Sequence, residues 1–167
     1  MNRQQLLENW VDAMHDGQLI KKTAEPYFNH LLFVARKAGP LTKYGYEIGL
    51  CHDLFEKTKV TAANLYHALV SFGYTEVNYI INSVQELTQQ EPKLQEAARL
   101  FTISPGAQTV KYADLFYNIG WVARFEKQEI RQPYLLRKKE LLHNMDKGDP
   151  GLRFETQALI DKLLKLP

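Results

Sequence analysis

The chain has 167 residues, 45% hydrophobic and 24% charged, which fits one globular domain with a sizeable core and excludes intrinsic disorder. Its single cysteine, Cys51, excludes an intrachain disulfide framework and a cysteine-rich zinc site. A net charge of +2 gives no nucleic-acid footprint, and no apolar run approaches the ~18 residues of a membrane span. Acids interrupt the N-terminal MNRQQLLENWVDAMHDG where a signal peptide would need an apolar stretch. These features predict a cytoplasmic domain whose partner is neither nucleic acid nor membrane, and they leave the oligomeric state open.

Apolar residues recur at helical spacing along the whole chain. Leu6, Leu7, Trp10, Val11 and Met14 mark one face of a first helix that Gly17 closes. Pro26 reads as the first residue of a second helix, running to about Ala38 and stopped by Gly39-Pro40. A third spans about Thr42 to Lys57, against the ~1 kcal/mol that each of Gly45 and Gly49 costs a helix interior. Thr61 predicts the cap of a helix over 62–72 that ends at Gly73. Thr75 is placed to cap the next, with Val77, Ile80, Ile81, Val84 and Leu87 on one stripe. Pro92 opens a shorter helix through Phe101, and Pro105-Gly106 mark a turn before the helix containing VKYADLFYNIGWVARF. Pro133 and Asp149-Pro150 open the last two, which occupy about 131–165. The sum is a single all-α domain over 1–167, with about eight or nine helices and no internal repeat.

Chemistry concentrates in three places. His52-Asp53 is followed by Glu56, and on one continuous helix all three look into one cleft. An imidazole with two carboxylates suits a divalent ion or acid–base work on a bound water. Taken alone, the trio also reads as a solvated helix face. Lys111, Asp114 and Asn118, at i, i+3 and i+7, share one side of a later helix, where Lys111–Asp114 reads in isolation as a surface ion pair. His30, inside AEPYFNHLLFVAR, reads in isolation as a core histidine. Cys51 reads as core packing, while His67, His143 and the run Arg137, Lys138, Lys139 read as solvated surface.

Taken in order, His30, His52-Asp53 and Asp114 form the series H…HD…D of the HD metal-dependent phosphohydrolases, an all-α superfamily. With MHDGQ, AEPYFNHLLFVAR, GLCHDLFEKTKVT, SFGYTEV, VQELT and VKYADLFYN around it, the chain resembles the hydrolase domain of RelA/SpoT proteins. Within that group it is most similar to the stand-alone, Mesh-type small alarmone hydrolases. The likeness covers about residues 10–125, with helical packing elements after it. The resemblance implies a single HD-type helical fold and four metal ligands, His30, His52, Asp53 and Asp114, usually around Mn²⁺, although such a set also accepts other divalent transition metals. It implies that Glu56 activates the attacking water and that Asn118 and Lys111 reach the ligand. It also implies that Lys21 or Lys22 offers a cation to a phosphate-rich substrate, and that His15 lies near the pocket rim. The implied activity is removal of pyrophosphate from the 3′ position of guanosine tetra- or pentaphosphate.

Three departures from the family pattern bear on the substrate. The family carries HD..ED, whereas Lys57 replaces the second acid here. That exchange lowers the basicity of Glu56 or grips another phosphate. Trp121 stands where a threonine is usual, and Leu115 where an arginine or lysine is usual. Three readings of the site therefore stand open in the sequence. One is a ppGpp 3′-pyrophosphohydrolase; another is an HD phosphohydrolase on a different nucleotide, such as a 5′-nucleotidase or an NADPH phosphatase. The third is a catalytically quiet nucleotide-binding module.

Overall fold

Side-chain caps set where several helices begin in the computed structural model, which describes residues 1–89 and 96–166. Asn2 forms a capping box with Gln5 at the start of α1 (Arg3–Met14), and Thr61 does the same with Asn64 at α5 (Ala62–Ser71). Ser104 accepts the Ala107 N–H at the start of α8 (Pro105–Phe125), and Asp149 accepts the Leu152 N–H at 2.7 Å at α10 (Pro150–Leu164). In both, proline follows the cap at the first helical position, where its missing N–H has no intrahelical partner to lose. The other segments are α2 (Phe28–Ala38), α3 (Gly45–Cys51), α4 (Leu54–Lys57), α6 (Val77–Leu87), α7 (Glu96–Thr102) and α9 (Gln128–His143). α4 is a single turn of 4 residues, so the described residues form nine longer helices and an all-α fold. Their one extended pairing is an isolated antiparallel bridge between Leu19 and Pro26.

Several boundaries differ from the sequence expectation, each for a local reason. Pro26 belongs to that bridge, and α2 begins two residues later at Phe28. Glu76, not Thr75, precedes α6, without a side-chain cap; burial of Val77, Ile80, Ile81, Val84 and Leu87 holds that helix instead. Pro105 and Gly106 are inside α8 because Ser104 caps it. Pro133 lies within α9, one turn after its start, where the carbonyl it cannot bond belongs to the exposed residue Glu129 and faces water. The expected helix start at Pro92 falls outside the described residues.

The third expected helix is two pieces. α3 ends at Cys51, and Asp53 has φ −103° and ψ 0°, in the sparsely populated bridge region, before α4 resumes. The helix thus breaks at the His-Asp dipeptide. Gly45 and Gly49, which weaken a helix in isolation, have a packing purpose. A Cβ on Gly49 would stand 2.8 Å from the Ala35 Cα, and one on Gly45 2.3 Å from the Ala38 carbonyl oxygen. α3 therefore lies directly on α2, and the core under the pair includes Leu31, Val34, Ile48 and Leu50, all fully buried. α8 packs against both, and α10 packs against α8.

Candidate metal centre

His30 sits in the first turn of α2, His52 and Asp53 at the α3–α4 break, and Asp114 midway along α8, so three helical elements converge on one point. The His30 and His52 Nε2 atoms are 3.3 Å apart. Asp114 Oδ1 lies 3.5 Å from His30 Nε2 and 3.8 Å from His52 Nε2. Asp53 Oδ2 lies 3.5 Å from His52 Nε2 and 4.0 Å from His30 Nε2. Ligands ~2.1 Å from a shared ion stand ~3.0–3.5 Å apart when adjacent and ~4.2 Å when opposite. The spacing therefore suits one small divalent cation, and His30, His52 and Asp114 form a buried group able to hold it.

The donor chemistry agrees. His52 Nδ1 is 2.6 Å from the Gly49 carbonyl oxygen, which can only accept, so Nδ1 donates there and Nε2 is the atom turned to the centre. Burial first, then His52, pushes the His30 imidazole down to about 4, leaving it neutral. His30 Nδ1 is buried without a hydrogen-bond partner; the ring is held instead by Tyr117, His52 and Tyr27, with centroids at 4.5, 5.2 and 5.3 Å. Burial alone would raise the Asp114 carboxyl, but Lys111, by its charge and its hydrogen bond, leads the groups that outweigh it and hold it well below the usual range. Burial also opposes ionisation of Asp53, where His52, the Tyr27 hydroxyl and Lys57 prevail and hold it low. The two carboxylates each lie within 4.0 Å of both histidine Nε2 atoms, an arrangement that a cation satisfies.

Lys111 and Asn118 both serve Asp114. Lys111 Nζ is 2.9 Å from Oδ2, and the Asn118 amide donates to Oδ1 at 2.6 Å. The Lys111–Asp114 pair is not a surface ion pair, since the side chains are only 18% and 9% exposed. Leu115 is turned into the core, so the absence of a basic residue there does not reach the centre. Glu56 follows the helix break, on α4. It is exposed and accepts the Gln89 N–H. Lys57 faces the centre, its ammonium 5.3 Å from the centroid of the Tyr27 ring. Lys22 is engaged elsewhere: at 2.8 Å from Glu126 and 3.3 Å from the Phe125 carbonyl, it closes the C-terminus of α8 from a left-handed backbone position, φ 63°. Lys21 is exposed and its carbonyl accepts the Trp121 indole N–H at 3.1 Å.

One residue of the centre, Tyr27, was not among the sequence candidates for chemistry. Tyr27 donates its hydroxyl to Asp53 Oδ2, and its spacing of three before His30 on one helical turn is the signal that could have found it. His15, expected at a pocket rim, is buried. Its Nδ1 meets the Gln18 side-chain oxygen at 3.0 Å, and its ring lies against Tyr27. Gln18 in turn donates to the Lys57 carbonyl at 2.8 Å, tying the end of α1 to the turn beyond Asp53.

Two cavities are of note. A wide one of about 1180 Å³ lies between α1, α5 and the turn from Glu56 to Val60. A narrower one of about 350 Å³ is walled by Phe33, Phe116, Tyr117 and Trp121. No protein-family model matches this chain, and no curated protein does.

Proposed function

We propose that this protein is a divalent-metal-dependent nucleotide phosphohydrolase of the HD type, with guanosine 3′-diphosphate alarmones as substrate and Mn²⁺ as metal. The observation that carries this reading is the buried group of His30, His52 and Asp114 from three helical elements, with Asp53 3.5 Å from His52 and 4.0 Å from His30. A bound cation there supplies Lewis acidity toward a phosphoryl oxygen and a lowered pKa for water. The chain's own residues do the rest. Lys111 and Asn118 fix the Asp114 carboxylate, Tyr27 fixes Asp53, and the Gly49 carbonyl fixes the His52 tautomer. In this reading Glu56 takes the proton from the attacking water, and Lys57 neutralises phosphate charge beside the centre.

The test is a product assay. Metal-stripped protein plus Mn²⁺ is incubated with guanosine tetraphosphate, and the products are separated by anion exchange. GDP and pyrophosphate, absent with Asp53→Ala, support the reading; no turnover by protein that binds Mn²⁺ overturns the substrate. A second reading keeps the centre and changes the nucleotide, to a 5′-monophosphate or the 2′-phosphate of NADPH. Lys57 beside the centre, in place of a second acid, favours it.

A further inference from the structure

Asp53 is fixed at the centre from two directions, and both lead back to residues 15–27. Its side chain accepts the Tyr27 hydroxyl at Oδ2. Its carbonyl accepts the Lys57 N–H at 2.9 Å, and the Lys57 carbonyl in turn accepts the Gln18 side-chain amide at 2.8 Å. Gln18 also takes the Tyr27 N–H on its own carbonyl, again at 2.8 Å. One half-buried glutamine thus bonds both the turn that carries Asp53 and the residue that grips it.

His15 closes the circuit. A carbonyl only accepts, so Gln18 turns its amide nitrogen to Lys57 and keeps its oxygen for His15. His15 Nδ1, 3.0 Å from that oxygen, is therefore a donor. The bond orients the imidazole, which lies against the Tyr27 ring with centroids 5.6 Å apart and planes inclined by 31°. Tyr27 precedes α2 and its side chain makes no cap there, so the ring depends on its neighbours: His15, the His30 ring and the Lys57 ammonium.

Packing alone does not account for an imidazole at this place. His15 is 3% exposed, and its Nε2 is buried with no hydrogen-bond partner among the described residues. A buried polar atom without a partner costs stability, and an apolar side chain would avoid that cost. What an apolar side chain lacks is the Nδ1 donor that Gln18 uses. Burial, the leading influence, lowers the imidazole from its ordinary value and favours the neutral ring, whose one N–H is then the donor to Gln18.

We propose that His15 is a positioning residue of the metal centre, acting through Tyr27. Oriented by Gln18, it holds the Tyr27 ring where the hydroxyl keeps Asp53 Oδ2 beside the two histidines. The proposal rests on the metal-centre part of the phosphohydrolase reading and deepens it with a residue outside the ligand set.

The test is a double-mutant cycle read by Mn²⁺ calorimetry. His15→Leu removes the ring, and His15→Phe keeps a flat ring in the same place while removing the donor to Gln18. Each is measured alone and combined with Tyr27→Phe, in which the hydroxyl through which His15 acts is gone. Alone, His15→Leu should raise the Mn²⁺ Kd about tenfold and His15→Phe about fivefold. Combined with Tyr27→Phe, neither should raise Kd further by more than about twofold, whereas a general loosening of the fold would cost the same factor with or without the hydroxyl. Far-ultraviolet circular dichroism checks folding, and His15→Phe carries the test should His15→Leu fail to fold. Equal losses with and without the hydroxyl, or a Kd unmoved by either change, overturn the proposal and leave the metal centre standing. Absence of Mn²⁺ binding by the unsubstituted protein overturns the metal-centre reading, and the proposal with it.

Discussion

Asp114 stands in the middle of a helix of 21 residues, with its two partners on the same helix, three residues before and four after. His52 and Asp53 stand where a helix stops, and their partners come from the backbone of α3 and from Tyr27, which lies 26 residues before Asp53. The two regions meet at one point by different means. An unbroken helix presents one ligand and supports it from neighbouring turns. Adjacent residues on such a helix point ~100° apart, and at His52-Asp53 the chain also bends, ending α3 before α4. The bridge-region backbone at Asp53 is that bend. Substitution should therefore separate a locally supported half of the site from a half that depends on the packing of α2 against α3.

The largest effect is expected at the bend. His52→Ala should lower Mn²⁺ affinity about 1,000-fold or more by calorimetry, equivalent to ~4 kcal/mol, while far-ultraviolet circular dichroism keeps its helical signal. Retention of affinity within tenfold would remove His52 from the centre. Next comes the packing that positions the bend. Gly49→Ala places a methyl 2.8 Å from the Ala35 Cα and should cost ~2–3 kcal/mol in denaturant unfolding, with metal affinity falling as well. Gly120→Ala, on α8 with nothing within 4 Å of its added Cβ, should be neutral or stabilising by up to ~1 kcal/mol. Equal losses in the two glycine variants would contradict a close α2–α3 approach. Smaller again are the supporting hydrogen bonds. Asn118→Leu removes the donor to Asp114 Oδ1, and Tyr27→Phe the donor to Asp53 Oδ2. Each should weaken Mn²⁺ binding about 10-fold to 30-fold, ~1.4–2 kcal/mol.

What could be read from the sequence follows the same division. The α8 cluster needed only the helical period, since Lys111, Asp114 and Asn118 share a side in any regular helix, and the structure brings them together. The caps at Thr61 and Asp149 were equally local. The break at His52-Asp53 was not legible, because no proline or glycine stands there and its cause is tertiary. Glycines at 45 and 49, read as a cost to the third helix, instead give α3 its contact with α2. Tyr27 was missed although it lies one helical turn from His30. Lys22 could be read as a loose cation because its contacts, Glu126 and the Phe125 carbonyl, lie over a hundred residues away in sequence.

The smallest effect tests whether the α8 half is as self-contained as its hydrogen bonds imply. Asp149 caps α10 through the Leu152 N–H, and its own N–H donates to Thr109 Oγ1 at 2.9 Å, which ties the start of α10 to α8 one turn and a half before Asp114. Asp149→Ala removes the side-chain acceptor and keeps the backbone donor to Thr109. Loss of an N-cap acceptor costs ~1 kcal/mol, so the unfolding free energy should fall by that amount. Mn²⁺ affinity should stay within twofold, because Lys111 and Asn118 hold Asp114 from the same helix and neither depends on where α10 begins. A matching drop in metal affinity would show that the packing of α10 positions Asp114. The contrast between a locally supported ligand and a tertiary one would then collapse, because both halves of the site would depend on contacts distant in sequence.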